Sequence, residues 1–242
     1  AEGYASPTPA PTPTPKPVST PSPLGFTQPL LEKAARASLG LSQDATMTRS
    51  DLSRVTALYV LENEVYPSSE SFYAAIEDWY QTTDRKGRGP VDSLADLALM
   101  PNLRILGLVA QRFTDLAPLA GLSSLEKIEF KHGAVRDLSA LAGLENLAAV
   151  GLNDNPVSDL SALSGLTKLR FLDLCDADGY DAAFLDSLTD FDFLDISNRT
   201  DSYKHLSGKR VGVLKLGYSG VDSLDWLRGV TGLRELELQG AK

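Results

Sequence analysis

Between Asp173 and Asp195 the chain carries eight aspartates, at 173, 176, 178, 181, 186, 190, 192 and 195, and neither lysine nor arginine. Carboxylates at that density suggest two chemistries, cation binding through oxygen ligands and proton transfer between paired acids. Asp176, Asp178, Gly179 and Asp181 (DADGYD) have the alternating carboxylates and turn glycine of the first half of a calcium loop. The full signature needs a third alternating Asp or Asn before the glycine and a glutamate beyond it. Here the glycine comes too early and no such glutamate follows, so the expectation is a solvated loop and no resident metal. The histidines, His132 and His205, fall in different segments, and Cys175 has no histidine expected within reach, which disfavours a Cys-His pair. Asp173 and Asp195 could form an acid-base pair, but a flat open sheet is not expected to exclude the water that burial-tuned acids must avoid. No enzyme activity and no cofactor are expected.

The elements that position these residues follow from a period. Leu94, Leu116, Leu138, Leu160 and Leu224 each stand fourteen residues ahead of an apolar strand residue: Leu108, Phe130, Leu152, Leu174 and Leu238. The clearest copies read DLAPLAGLSSLEKIEF, DLSALAGLENLAAVGL and DLSALSGLTKLRFLDL. A 22-residue period with an L-x-x-L-x-L core marks a leucine-rich repeat, whose units bury their apolar sides only by stacking. Seven strands are expected near 103–109, 125–131, 147–153, 169–175, 191–197, 211–217 and 233–239, the sixth repeat being two residues short. After Gln239 no C-terminal cap is evident: the last strand is either a protected edge or free to pair with another chain. Oligomeric state is not readable.

Ahead of the repeats, residues 26–60 are expected to cap the stack. Pro29 and Gly40 bracket one helix, Thr48 suits the N-cap of a second, and Leu58 and Val60 begin the first strand. Residues 61–90 form a helical insertion in which Phe72, Ile76 and Trp79 make one face. That stripe either packs against the side of the stack or, with Tyr73, Tyr80, Arg85, Lys86 and Arg88, joins a recognition surface. Residues 1–25 read as a Pro/Thr-rich linker, with PTPAPTPTPKPVSTPSP at 7–23 in extended polyproline II. Such spacers hold domains off a bacterial surface, so a secreted or surface-tethered location is expected. The chain starts without methionine, which suggests that an upstream part has been removed, and no apolar run is long enough to span a membrane. Cys175 stands alone, so no internal disulfide forms. The net charge of −9, without a basic stripe, argues against nucleic acid and anionic membranes.

Strand alternation sends three columns of side chains to the concave face. The first is Ile105, Lys127, Ala149, Phe171, Phe193, Val213 and Glu235; the second Gly107, Glu129, Gly151, Asp173, Asp195, Lys215 and Glu237; the third Val109, Lys131, Asn153, Cys175, Ser197, Gly217 and Gln239. Phe171 and Phe193 should be neighbours, flanked by Asp173 and Asp195. Exposed aromatics beside charges are typical of contact sites, although a flanking loop could instead cover them. With Lys215 these residues are the candidate ligand site, suited to a partner with an apolar contact and a basic rim.

The copies DLSALAGLENLAAVGLNDNPVS and DLSALSGLTKLRFLDL resemble the 22-residue repeats of bacterial internalin-type proteins, closely over 91–175 and loosely over 176–239. RASLGLSQDATMTRSDLSRVTALYV is similar to that family's helical cap. The whole chain also looks like the extracellular part of leucine-rich-repeat proteins of Gram-positive gut bacteria, some of which carry a cytoplasmic Ser/Thr kinase ahead of a membrane helix. The resemblance implies an α/β, right-handed solenoid with parallel strands on its concave face, short 3₁₀ or irregular convex turns and a helical N-terminal cap. It implies a protein or peptide partner bound on the concave face, a glycan being the other option. The implied role is a surface binding module or, alternatively, the sensory ectodomain of a kinase. The family places Asn after the strand; only Asn155 does so here, with Gln111, Gly133, Ala177 and Arg199 at the other copies and Asn198 one residue early. Those turns are therefore expected to be held by other contacts.

Overall fold

A computed structural model describes residues 23–82, 87–177, 180–198 and 202–240. Nearly all of the Pro/Thr-rich segment, together with Arg85, Lys86, Asp178 and Arg199, lies outside these residues. Helices α1 (Pro29–Ser38) and α2 (Arg49–Leu52) lead into β1 (Ala57–Leu61), β2 (Glu64–Val65) and α3 (Ser69–Gln81). Then come β3 (Ile105–Val109), β4 (Lys127–Glu129), β5 (Ala149–Gly151), β6 (Phe171–Asp173), β7 (Asp190–Asp195), β8 (Arg210–Lys215) and β9 (Glu235–Glu237), each preceded by a 3₁₀ turn. Among the described residues they form one sheet in the order β2-β1-β3-β4-β5-β6-β7-β8-β9, parallel except for the β1–β2 hairpin. The register runs Ile105, Lys127, Ala149, Phe171, Phe193, Val213, Glu235 in direct pairs, and likewise Gly107, Glu129, Gly151, Asp173, Asp195, Lys215, Glu237.

The period produces this register because each unit spends its apolar residues in one direction. Leu106, Ile128, Val150, Leu172, Leu194 and Leu214 point inward and are fully buried, one above another. On the convex side, aspartates at the same period cap the 3₁₀ turns. Asp115, Asp137, Asp159 and Asp181 each accept through Oδ1 the backbone N–H two residues on, at 2.8, 2.8, 2.8 and 2.9 Å. Hydrogen bonds from Ser139 and Ser161 hold the carboxyls of Asp137 and Asp159 below the ordinary range.

Where the strands end, Ala110, His132, Asp154, Asp176, Asn198 and Tyr218 take φ between 53° and 63°, one residue per repeat. The left-handed turn aims backbone carbonyls at the next side chain. Asn155 Nδ2 donates to the carbonyls of Phe130, Leu152 and Asn153, and its Oδ1 accepts from Val135 N. Gln111 does the same work one methylene longer, donating to the Glu62 and Val109 carbonyls and accepting from Val91 N. Ser219 donates to the Ile196 and Gly217 carbonyls. The side-chain bond expected only at Asn155 is thus also supplied by Gln111 and Ser219.

At the N-terminal end, α1 covers the first repeat with Leu31, Ala34 and Ala35. Its start is held by a residue far away in sequence. The buried Asp96 carboxylate accepts from Thr27 N, Thr27 Oγ1 and Gln28 N at 2.7–3.0 Å. A carboxylate there meets unpaired N–H groups and the positive end of the helix dipole. Thr48 and Asp51 form a reciprocal capping box on α2. The opposite end is open: Leu224 is 53% exposed, whereas Leu94, Leu116, Leu138 and Leu160 are 1–2% exposed.

Candidate functional site

The concave face is divided by α3. Phe72, Ile76 and Trp79 bury against Tyr59, Leu61, Val109 and Ala110, in a cluster separate from the main core. The helix therefore lies across the concave side of β1 and β3 rather than against the flank of the stack. Room for it comes from Gly107: a Cβ there would stand 2.7 Å from Phe72 Cε1 and 3.2 Å from Tyr59 Cδ1. Trp79 Nε1 donates to the buried Glu62 Oε1 at 3.0 Å, which fixes the C-terminal half of α3.

The rim of α3 then reaches β4. Tyr73 Oη donates to Glu129 Oε2 at 3.2 Å, and Tyr80 Oη bonds His132 Nε2 at 2.8 Å, with His132 Nδ1 in turn 2.8 Å from Asp154. Burial, reinforced by the Glu129 charge, pushes the Tyr73 phenol well above its usual range. Arg88 Nη2 donates to the Gly133 carbonyl at 2.6 Å, so this member of the basic loop is tied to the turn after β4.

Beyond α3, Lys127 and Lys215 flank the two rings of the first column. Lys127 Nζ lies 4.7 Å from the Tyr73 ring centroid and 5.5 Å from that of Phe171. Phe171 and Phe193 stack nearly parallel, 4.5 Å between centroids at 11°, and Lys215 Nζ lies 6.0 Å from Phe193. Both phenylalanines are half-buried, with their faces engaged by each other and by the lysines and their edges left to the concavity.

The second column is a line of carboxylates at the floor. Glu129, Asp173 and Asp195 are 2%, 6% and 8% exposed. Lys131 bridges two of them, 3.1 Å from Glu129 Oε1 and 2.7 Å from Asp173 Oδ2. Burial opposes charge on Lys131, but Asp173 and Glu129 more than offset it and hold the ammonium above its usual range. Burial pushes the Asp195 carboxyl up, and neighbouring Asp173 adds to the rise. The expectation that an open sheet cannot bury these acids is corrected here: all three are buried, with Tyr73 of α3 reaching Glu129 and Lys131 reaching Glu129 and Asp173. Cys175, in the third column, is pushed up to about 12 by burial and then by the charges of Asp195, Asp176 and Asp173.

Phe171, Asp173, Phe193, Asp195 and Lys215 are therefore brought together on adjacent strands. Of the calcium candidates, Asp178 lies outside the described residues; Asp176 accepts from Asn198 Nδ2 after the strand, while Asp181 caps a convex turn. Among the described residues no group of three or more His, Cys, Asp or Glu side chains is arranged to hold a metal. His205 pairs with Asp186 at 2.9 Å, away from His132 and its partners. Tyr73, Lys127, Glu129 and Lys131 belong to the site although strand spacing did not single them out. The signal available was the place of Lys127, Glu129 and Lys131 in the columns and of Tyr73 on the helical insertion.

No family model matches the sequence, and no curated protein matches it. Solved structures do. An internalin (InlF) from Listeria monocytogenes superposes with a TM-score of 0.68 at 24% identity, over 91% of this chain and 59% of that one. TLR13, in a complex with ssRNA13, superposes with a TM-score of 0.53 at 16% identity, over 79% of this chain and 27% of that one. The chain is a leucine-rich-repeat solenoid. It spans less than two thirds of the length of either neighbour. Among its described residues no helix of the solenoid is long and apolar enough to cross a membrane.

Proposed function

We propose that the solenoid is a non-enzymatic binding module whose concave face, from β4 to β8, recognises a protein or peptide. The observation that carries this reading is the half-buried Phe171–Phe193 stack set directly beside buried carboxylates. Apolar edges next to desolvated charge form a surface that gains by being covered. A peptide fits better than a glycan, because sugars stack on open ring faces and these faces are already engaged. The acidic floor disfavours nucleic acid. We place the module outside the cell, tethered by the Pro/Thr-rich segment; its regular Pro-Thr alternation and the likeness to an internalin support that placement.

The test compares partner capture by wild type and by the Phe171→Ala/Phe193→Ala double variant, with thermal unfolding as the folding control. Loss of capture by a folded variant is the expected result. Equal recovery removes the patch from the reading.

A further inference from the structure

Charge balance along the floor singles out Asp195. Glu129 has Lys131 at 3.1 Å and Lys127 at 3.7 Å, and Asp173 shares Lys131. Lys215, the register neighbour of Asp195, turns to Glu237 at 3.1 Å instead. Asp195 has no cation within ion-pair distance among the described residues. Its Oδ1 accepts from Ser197 N at 3.0 Å, Ser197 is the residue that hydrogen-bonds it, and Asp195 is only 8% exposed. A carboxylate so far withdrawn from water and held by Ser197 without a cation at ion-pair distance is costly in the unliganded protein. The three acids Glu129, Asp173 and Asp195 face two committed lysines, Lys127 and Lys131, one positive charge short.

We propose that Asp195 is the socket for an arginine side chain of the bound peptide, its guanidinium pairing with the carboxylate and its stem lying along Phe193. The proposal rests on the reading of the concave face as a peptide site and adds the chemistry of its central contact. Arginine suits the place better than lysine. Its planar fork can engage both carboxylate oxygens, and it is less strongly hydrated, so less is lost on entering a half-covered notch. Along β7, Phe193 stands two residues from Asp195 on the same face. An apolar peptide residue next to the arginine would therefore meet the ring edges of Phe171 and Phe193. Occupation by a cation also removes the repulsion between Asp173 and Asp195, so binding relieves a strain that the free protein holds.

The experiment selects random heptapeptides displayed on phage against wild type, Asp195→Asn and Phe171→Ala/Phe193→Ala. Wild type is expected to enrich arginine beside an apolar residue, and Asp195→Asn to lose the arginine preference while keeping the apolar one. For the leading synthetic peptide, replacing its arginine by glutamine should weaken binding to wild type by about tenfold or more and leave binding to Asp195→Asn nearly unchanged. Selected peptides that need the phenylalanines but show no arginine preference, or the same preference on Asp195→Asn, overturn the socket and leave the peptide site standing. Peptides indifferent to the phenylalanine pair, or no selection at all, overturn both. Thermal unfolding of each variant at neutral pH excludes misfolding as the cause.

Discussion

Lys131 Nζ lies 2.7 Å from Asp173 Oδ2 although a whole strand separates their own, and the reach is open because β5 carries Gly151 at that level. Glu129 leans into the same gap: a Cβ on Gly151 would stand 2.5 Å from its Oε1. One glycine on β5 thus lets Glu129, at the end of β4, and Lys131, just beyond it, close with Asp173 of β6 into a single network. Replacing Lys131 by methionine keeps the stem and leaves Glu129 and Asp173 without their shared cation. Breaking a buried pair from one side costs about 3–5 kcal/mol. Chemical unfolding should show that loss, whereas a change below about 0.5 kcal/mol would mean that solvent screens the network.

The seat of α3 depends on a second glycine. A methyl group at position 107 meets the end of the Phe72 ring, which is fully buried and wedged between Tyr59 and Tyr66. Gly107→Ala should therefore destabilise by about 1–3 kcal/mol through overpacking. It should also speed amide exchange in α3 while β5–β7 keep wild-type protection. Uniform loss of protection would show instead that α3 and the repeats unfold as one unit.

Most of this architecture was legible because a stacked repeat writes its geometry into its period. The first and second concave columns read from spacing are the pairs observed, down to Phe171 beside Phe193. The short sixth repeat also keeps register, Asp195 pairing with Lys215. What spacing could not give was contact at a distance. The path of α3 over Gly107, the reach of Lys131 past Gly151 and the grip of Asp96 on α1 join residues remote in sequence or cross whole strands. Asp181, read from the sequence only as part of the acidic stretch, has a second role that its spacing also carried. It continues the series Asp115, Asp137, Asp159 at the same interval and serves the same turn.

Asp96 provides a test of the cap. Its carboxylate satisfies three donors at the start of α1, including two backbone N–H groups with no helical partner. Asp96→Ala should cost about 2–3 kcal/mol, and Asp96→Asn less, because an amide still accepts but carries no charge for the helix dipole. Equal losses for the two variants in urea unfolding would argue that hydrogen bonding alone matters there.

Cys175 reports on the electrostatics of the floor. With its thiol pushed up to about 12, little thiolate exists at neutral pH, and attack on a disulfide reagent needs the thiolate. Its reaction should run slower than that of an unhindered thiol by about a hundredfold or more. Asp195→Asn removes the largest of the charges acting on it, so that variant should react faster at the same pH. A rate equal to that of free cysteine would mean that the third column is solvated.

The same substitution gives a pH signature for Asp195 itself. Its folded carboxyl is raised above the unfolded value by burial and, less, by Asp173, against the downward pull of the Ser197 hydrogen bonds and a smaller one from Lys215. A raised acid contributes stability that is fully present below the unfolded pKa, about 3.9, and is lost as pH rises through the folded one. At neutral pH the ionised Asp195 therefore weighs against the fold. The neutral amide introduced by Asp195→Asn escapes that cost and can still accept the Ser197 N–H bond that Asp195 Oδ1 receives. Asp195→Asn should accordingly unfold about 2–4 °C higher than wild type at neutral pH. The difference should shrink as pH falls from neutrality toward the unfolded value of about 3.9, because the raised carboxyl of folded wild type takes up its proton above that value. The remaining charges facing this position, on Asp173, Lys131 and Lys215, are common to both proteins, so a difference independent of pH would show that Asp195 is not charged against its surroundings.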